Sequence, residues 1–108
     1  MTDISTYIIE FERMEWQQIA TGLAQKEVSR ANKRIRLLEF SSGFREEDWC
    51  QKSHIGYIIK GSMTVNFNGR PQVFKKGDSL WIDQGKMHKH KVEMAENEVA
   101  VLFLVEDI

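Results

Sequence analysis

Hydrophobic and polar positions alternate along much of this chain. Arg34-Ile35-Arg36-Leu37-Leu38-Glu39-Phe40 alternates and stops at the turn cluster Ser41-Ser42-Gly43. Ile55 to Ile59 is apolar and β-branched and is bounded by Gly61. Met63-Thr64-Val65-Asn66-Phe67 alternates and runs into Asn68-Gly69. A period of two puts every second side chain on one face, so each run predicts a strand. Asn-Gly between two such runs is the strongest short hairpin signal. It predicts a return strand over Gln72-Val73-Phe74, starting at Pro71, the only proline. Leu80-Trp81-Ile82 reads as a short strand, and His88 to Met94 alternates again. Val99 to Val105 is apolar enough to predict a strand buried on both faces.

The first thirty or so residues are less regular. Tyr7 to Phe11 is a candidate strand, Glu15 to Ala20 a candidate helical turn, and Leu23 to Ala31 carries helix-forming residues. Gly43, Gly61, Gly69, Gly77 and Gly85 punctuate the rest. Short strands between recurrent turns predict an all-β sandwich or barrel.

A chain of 108 residues fits one domain, taken as residues 1–108, and can bury a core without staples. Its 42% hydrophobic and 29% charged content argues against disorder. A formal net charge of -1 gives no reason to expect nucleic acid as a partner. No apolar run approaches the roughly 18 residues of a membrane span. Met1-Thr2-Asp3-Ile4-Ser5 lacks the basic and apolar regions of a signal peptide. Cys50 is the only cysteine, which excludes an internal disulfide and suits a reducing cytosol. The expectation is a soluble cytoplasmic domain with no membrane partner.

The densest chemistry lies in Asp48-Trp49-Cys50-Gln51-Lys52-Ser53-His54. An acid, a thiol and an imidazole stand at relative positions 0, 2 and 6. If the segment is extended, Asp48, Cys50 and His54 face one side and Trp49 the other. Oxygen, sulfur and nitrogen converging from one face suit a soft or borderline metal ion. His88, after Gly77-Asp78 and Gly85, is a fourth candidate. Each has a plain alternative. Asp48 follows Glu46 and Glu47 in what reads equally as a solvated acidic turn. Cys50 reads equally as a small buried hydrophobe. His54 reads as a hydrogen-bonded core histidine, and His88 as an exposed residue of the basic run Lys86 to Lys91. His90 shares the parity of His88 and suits a place behind the ligands or in the pocket wall rather than direct ligation. Lys52 shares the inward parity and offers a cation to an anionic ligand, or sits solvated at a rim. Trp49, Tyr57, Trp81 and Phe103 read as core or pocket wall. The basic stretch Lys26, Arg30, Lys33, Arg34 and Arg36 reads as a solvated strand face.

The glycine frame resembles the cupin superfamily of double-stranded β-helix, or jelly-roll, barrels. Gly43 sits near the start of the first motif, Asp48-Trp49-Cys50 stands where the family has His-x-His, His54 stands at the glutamate, and Gly61 falls after six intervening residues. In the second motif Gly77, Gly85 and His88 match, while Asp83 replaces a proline and Val92 an asparagine. The run Trp-Cys-x-Lys-x-His resembles a group of small single-domain cupins. Trp16, Gly22, Leu37 to Phe40 and Gly43 also resemble the zinc-binding cupin domain of certain anti-sigma factors. The resemblance covers about residues 16–105. It implies an all-β cupin jelly-roll barrel holding one divalent metal at its mouth, with ligands from Asp48, Cys50, His54 and His88. Thiolate and imidazole donors favour zinc, with Fe(II) or nickel as alternatives. Four protein ligands would close the site. Three would leave an open position and free Asp48 as a candidate general base. The resemblance further implies a small polar metabolite as ligand and a homodimer. Metalloenzyme, non-catalytic sensing module and metal-free metabolite-binding barrel all stay open.

Overall fold

The computed structural model describes residues 7–108; the signal-peptide reading of Met1 to Ser5 lies outside them. The strands are β1 (Gln17–Ala20), β2 (Leu23–Arg30), β3 (Lys33–Phe40), β4 (His54–Phe67), β5 (Arg70–Lys75), β6 (Ser79–Ile82), β7 (Lys91–Val92) and β8 (Ala100–Asp107). All pairings are antiparallel, in the order β1-β2-β3-β8-β4-β5, with β6 and β7 also bonded to β4. Among the described residues no helix is long and apolar enough to cross a membrane.

β4 organises the fold because it serves both halves of a curled sheet. Its first half pairs with β6 and β8, and its second half with β5 and β7. The change-over falls at a register shift between Ile58 and Lys60, next to Gly61. Gly61 has φ +75°, and a Cβ there would collide with the Val99 carbonyl. Only glycine meets both demands. What reads in sequence as two strands split at Gly61 is one bent strand.

The alternating runs fold as their pattern predicts. Leu38 and Phe40 on β3, Ile58, Met63 and Val65 on β4, Leu80 and Ile82 on β6, and Leu102 and Leu104 on β8 point inward to one buried core. The Asn68-Gly69 hairpin is present, with φ +53° and +94° at the two turn residues, the left-handed pair that matches strand twist.

Four expectations fail for physical reasons. Leu23 to Ala31 is not helical; it is β2, paired residue for residue with β3. The hairpin between them turns on Ala31 and Asn32, at φ +48° and +66°. Ala-Asn lacks the glycine that signals such a turn, and sheet pairing overrides helix propensity. Glu15 to Ala20 contains β1 rather than a helical turn, and Tyr7 to Phe11 is not a strand. A 3-10 turn, Phe11–Arg13, packs Phe11 edge-on against Phe103 with centroids 6.3 Å apart. Lys26 lies beneath this segment, donating to the Phe11 carbonyl at 2.8 Å and facing the Trp16 ring. Finally, β8 is buried on one face only: Leu102, Leu104 and Glu106 are inside, while Val105 is 42% exposed.

Candidate metal centre in the barrel

The inner face encloses a cavity of about 330 Å³. Much of its wall is hydrocarbon, from residues such as Leu38, Phe40, Met63, Leu80 and Leu104. One part is polar, and it is assembled from three elements.

The first is an irregular extended segment leading to Cys50. Glu46 N–H donates to the Val92 carbonyl at 3.0 Å, and Cys50 and His90 exchange both backbone hydrogen bonds at 2.8 and 2.9 Å. Residues that exchange both bonds stand directly opposite, with side chains on the same face. This isolated bridge sets the Cys50 thiol beside the His90 ring. The second element is the start of β4, where His54 enters from the sheet. Its Nε2 lies 3.5 Å from Cys50 Sγ, and its ring meets His90 edge-on at 5.2 Å. Donor atoms of Cys50, His54 and His90 all lie within 4.8 Å of one another.

The ring orientations are fixed from behind. His90 Nδ1 is 3.0 Å from the His88 carbonyl, which can only accept, so Nδ1 carries the hydrogen and a neutral ring keeps its lone pair on Nε2. Burial holds the His90 pKa below 6.5, outweighing the hydrogen bond to His88, so the ring is neutral at neutral pH. His54 Nδ1 is buried and faces the Glu106 carboxylate at 3.4 Å, without the alignment of a hydrogen bond. A carboxylate behind a ring nitrogen orients a metal-binding histidine.

Glu106 is the third element. It follows Leu102 and Leu104 on the inner face of β8 and is 8% exposed. Arg36 grips it with two bonds, Nε to Oε1 at 2.7 Å and Nη2 to Oε2 at 2.8 Å. Arg34 Nε adds a third at 3.1 Å. Burial alone would raise the Glu106 pKa, but His54, Arg36 and Arg34 outweigh it and hold the carboxyl far below the ordinary range.

The structure brings together two of the four residues expected from sequence, Cys50 and His54. His88 and Asp48 stand outside the cluster and are exposed. His88 closes a 3-10 turn, Lys86–His88, whose period of three breaks the alternation that placed it inward. It contributes its carbonyl, and His90 takes the inward place. Asp48 lies in the loop before Cys50, where strand parity does not apply. Of that acidic run, Glu46 lines the cavity and accepts from Val92 N–H at 2.9 Å. Trp49 does face away, beneath Lys89 and Lys91. Tyr57 and Trp81 are exposed on the outer sheet face, not core. Arg34 and Arg36 are not a solvated face; they line the cavity. Their shared parity with Leu38 and Phe40 was the available signal, and Glu106 had the same signal from Leu102 and Leu104.

Residues 46–106 match the cupin domain family. The chain is a cupin. Its barrel superposes on KdgF from a Halomonas species with a TM-score of 0.72 at 20% identity, covering 90% of this chain and 89% of that one. The polyketide cyclase RemF from Streptomyces resistomycificus gives a TM-score of 0.79 at 14% identity, covering 91% and 76%. The Rhodobacter sphaeroides complex of SigE with the anti-sigma ChrR gives 0.69 at 16% identity, covering 91% of this chain and 51% of that one. Likeness at these identities is a likeness of fold. No curated protein matches the sequence. Within the cupin frame, the Cys/His/His cluster is a candidate site for a divalent metal, set in a cavity of small-molecule size.

Proposed function

We propose that this cupin binds one divalent metal ion through Cys50, His54 and His90 and a small polar metabolite in the adjoining cavity. The observation that carries the reading is the pair of imidazoles with Nδ1 backed by the His88 carbonyl and the Glu106 carboxylate, both rings converging on one thiol. Packing alone does not require two rings and a thiol so arranged, whereas metal ligation does. One sulfur and two nitrogens favour zinc, with Fe(II) or nickel as alternatives. Three protein ligands leave a coordination position for water or substrate, where a bound metal supplies Lewis acidity. That openness favours a metalloenzyme. A metal-sensing module without catalysis is the second reading, supported by the oxidisable thiol among the donors and by the fold likeness to a chain of the SigE complex with the anti-sigma ChrR.

We place the protein in the cytoplasm as a single barrel that pairs as a homodimer. Support for pairing comes from the outer sheet face, where Trp81, Ile55, Val105 and Ile35 lie in one cross-strand row. Trp81 is 75% and Ile55 47% exposed. Light scattering reading a single 12.6 kDa chain at micromolar concentration would reject the dimer.

The metal reading is tested by elemental analysis of protein purified without an affinity tag. About one equivalent of metal in the wild type, lost in Cys50→Ser and His90→Gln, is the expected result. Full metal content in both variants would refute it.

A further inference from the structure

We propose that the ligand of this cavity is a small organic carboxylate, gripped at its anionic end by Arg34. Its body lies along the apolar wall and its other end reaches Cys50, His54 and His90. That far end rests on the metal-binding reading above; the Arg34 contact does not.

The polar wall leaves one guanidinium unspent. Arg36 uses Nε and Nη2 on Glu106 and Nη1 on Gln25 at 3.4 Å. Both oxygens of Glu106 are taken. Glu27 stands opposite Arg36 in register, but its oxygens accept from Gln25 and Ser29. Arg34 gives only Nε to Glu106, and among the described residues its Nη1 and Nη2 have no partner. Its side chain is 26% exposed, and it lines the cavity. The two free terminal nitrogens form a planar fork that matches the two oxygens of a carboxylate.

Charge and spacing agree with this. Arg34, Arg36 and Lys52 line the cavity against Glu46 and Glu106, an excess of one positive charge. Among the described residues Lys52 makes no ion pair, and Glu46 is bonded to backbone. A monoanion balances that excess. Arg34 pairs with Glu106 on β8, and Glu106 neighbours His54 on β4. Two strand spacings separate Arg34 from His54, roughly 10 Å between backbones, which a small acid can bridge. Leu38, Leu102 and Leu104 line the same cavity and suit a hydrocarbon body rather than a phosphate.

The test is calorimetric titration with butyrate, hexanoate and benzoate, each against its neutral amide, with inorganic phosphate as a further probe. Protein is used as prepared and after chelation. At least one carboxylate should bind about tenfold or more tighter than its amide. Arg34→Gln should erase that preference, Arg34→Lys should keep part of it, and Arg45→Gln, at an exposed arginine paired with Glu93, should leave it intact. If Arg34→Gln does not fold, Arg34→Lys decides, since it keeps charge but loses the fork. The preference should survive chelation. No preference for any carboxylate, or no binding, overturns the proposal. So does a preference that persists in Arg34→Gln and vanishes on chelation, which would put the carboxylate on the metal. Phosphate bound more tightly than every carboxylate also overturns it. Failure of the metal reading is separately visible as metal-free protein whose carboxylate preference is intact.

Discussion

The β4–β8 frame and the two loop segments that reach into the barrel obey different rules. In the frame, alternation holds over β3, β4 and β8, and each break has a backbone cause such as Gly61 or the Asn68-Gly69 turn. In the loops, Cys50 and His90 are held by one isolated bridge, and His88 is turned out by a 3-10 turn. The frame therefore fixes where a site can be, while local loop geometry decides which donors fill it. Each half of that contrast can be attacked separately.

The largest effect should come from the frame. Gly61→Ala puts a Cβ into the Val99 carbonyl at φ +75°, where neither strand can yield without breaking the β4–β8 ladder. A loss of about 4 kcal/mol or more, or failure to fold, is expected in urea denaturation. A change under about 1 kcal/mol would show that the bend does not depend on glycine.

Glu106 joins frame to site, so its removal should be nearly as costly. Glu106→Gln leaves Arg36 and Arg34 half-buried without their counter-charge and should cost about 3–5 kcal/mol. The pH dependence has a definite sign. The folded carboxyl titrates below its ordinary value of 4.5, so its contribution is complete above that pH and falls away as acid is added below it. His90 also titrates below its ordinary 6.5 when folded, so its contribution is complete above 6.5 and declines as pH falls through that value. Melting profiles should show Glu106→Gln lacking the decline below 4.5, and His90→Gln lacking part of the decline below 6.5. Wild-type-like profiles in both variants would remove these groups from the acid response.

How far the sequence could be read follows the same contrast. β3, β4, β5 and β6 and the Asn-Gly hairpin follow from alternation and turn chemistry, whereas β8 was legible as a strand from its apolar run but not in having one exposed face. β2 was hidden because Ala24, Gln25, Lys26 and Glu27 are good helix formers, and its turn has no glycine. In the site, Cys50 and His54 were legible from their residue types and spacing. His90 was legible only as a pocket wall, because parity cannot separate it from His88; the 3-10 turn does. Arg34, Arg36 and Glu106 look like surface charges until β3 and β8 are assigned an inner face.

The loops are broken more gently by comparing neighbouring histidines. His90→Gln should weaken metal binding about 100-fold, or about 2.7 kcal/mol, whereas His88→Gln should change it by less than about threefold, since only the His88 carbonyl takes part. Competition with a chelating dye measures both. Equal losses, or the reverse order, would restore His88 to the site.

The smallest effect sharpens the frame side. Ala31 sits at φ +48°, which costs a residue with a Cβ about 1–2 kcal/mol. Ala31→Gly relieves that strain but loosens the unfolded chain, so a net gain of up to about 1 kcal/mol is expected in thermal denaturation. A loss would show that the turn is not strained.

The central claim is that one thiolate and two imidazoles hold a metal in this barrel. X-ray absorption on tag-free, zinc-loaded protein reads that ligand set directly. One sulfur at about 2.3 Å and two imidazole nitrogens at about 2.0–2.1 Å are expected. A shell with no sulfur, or with a single imidazole, would contradict it.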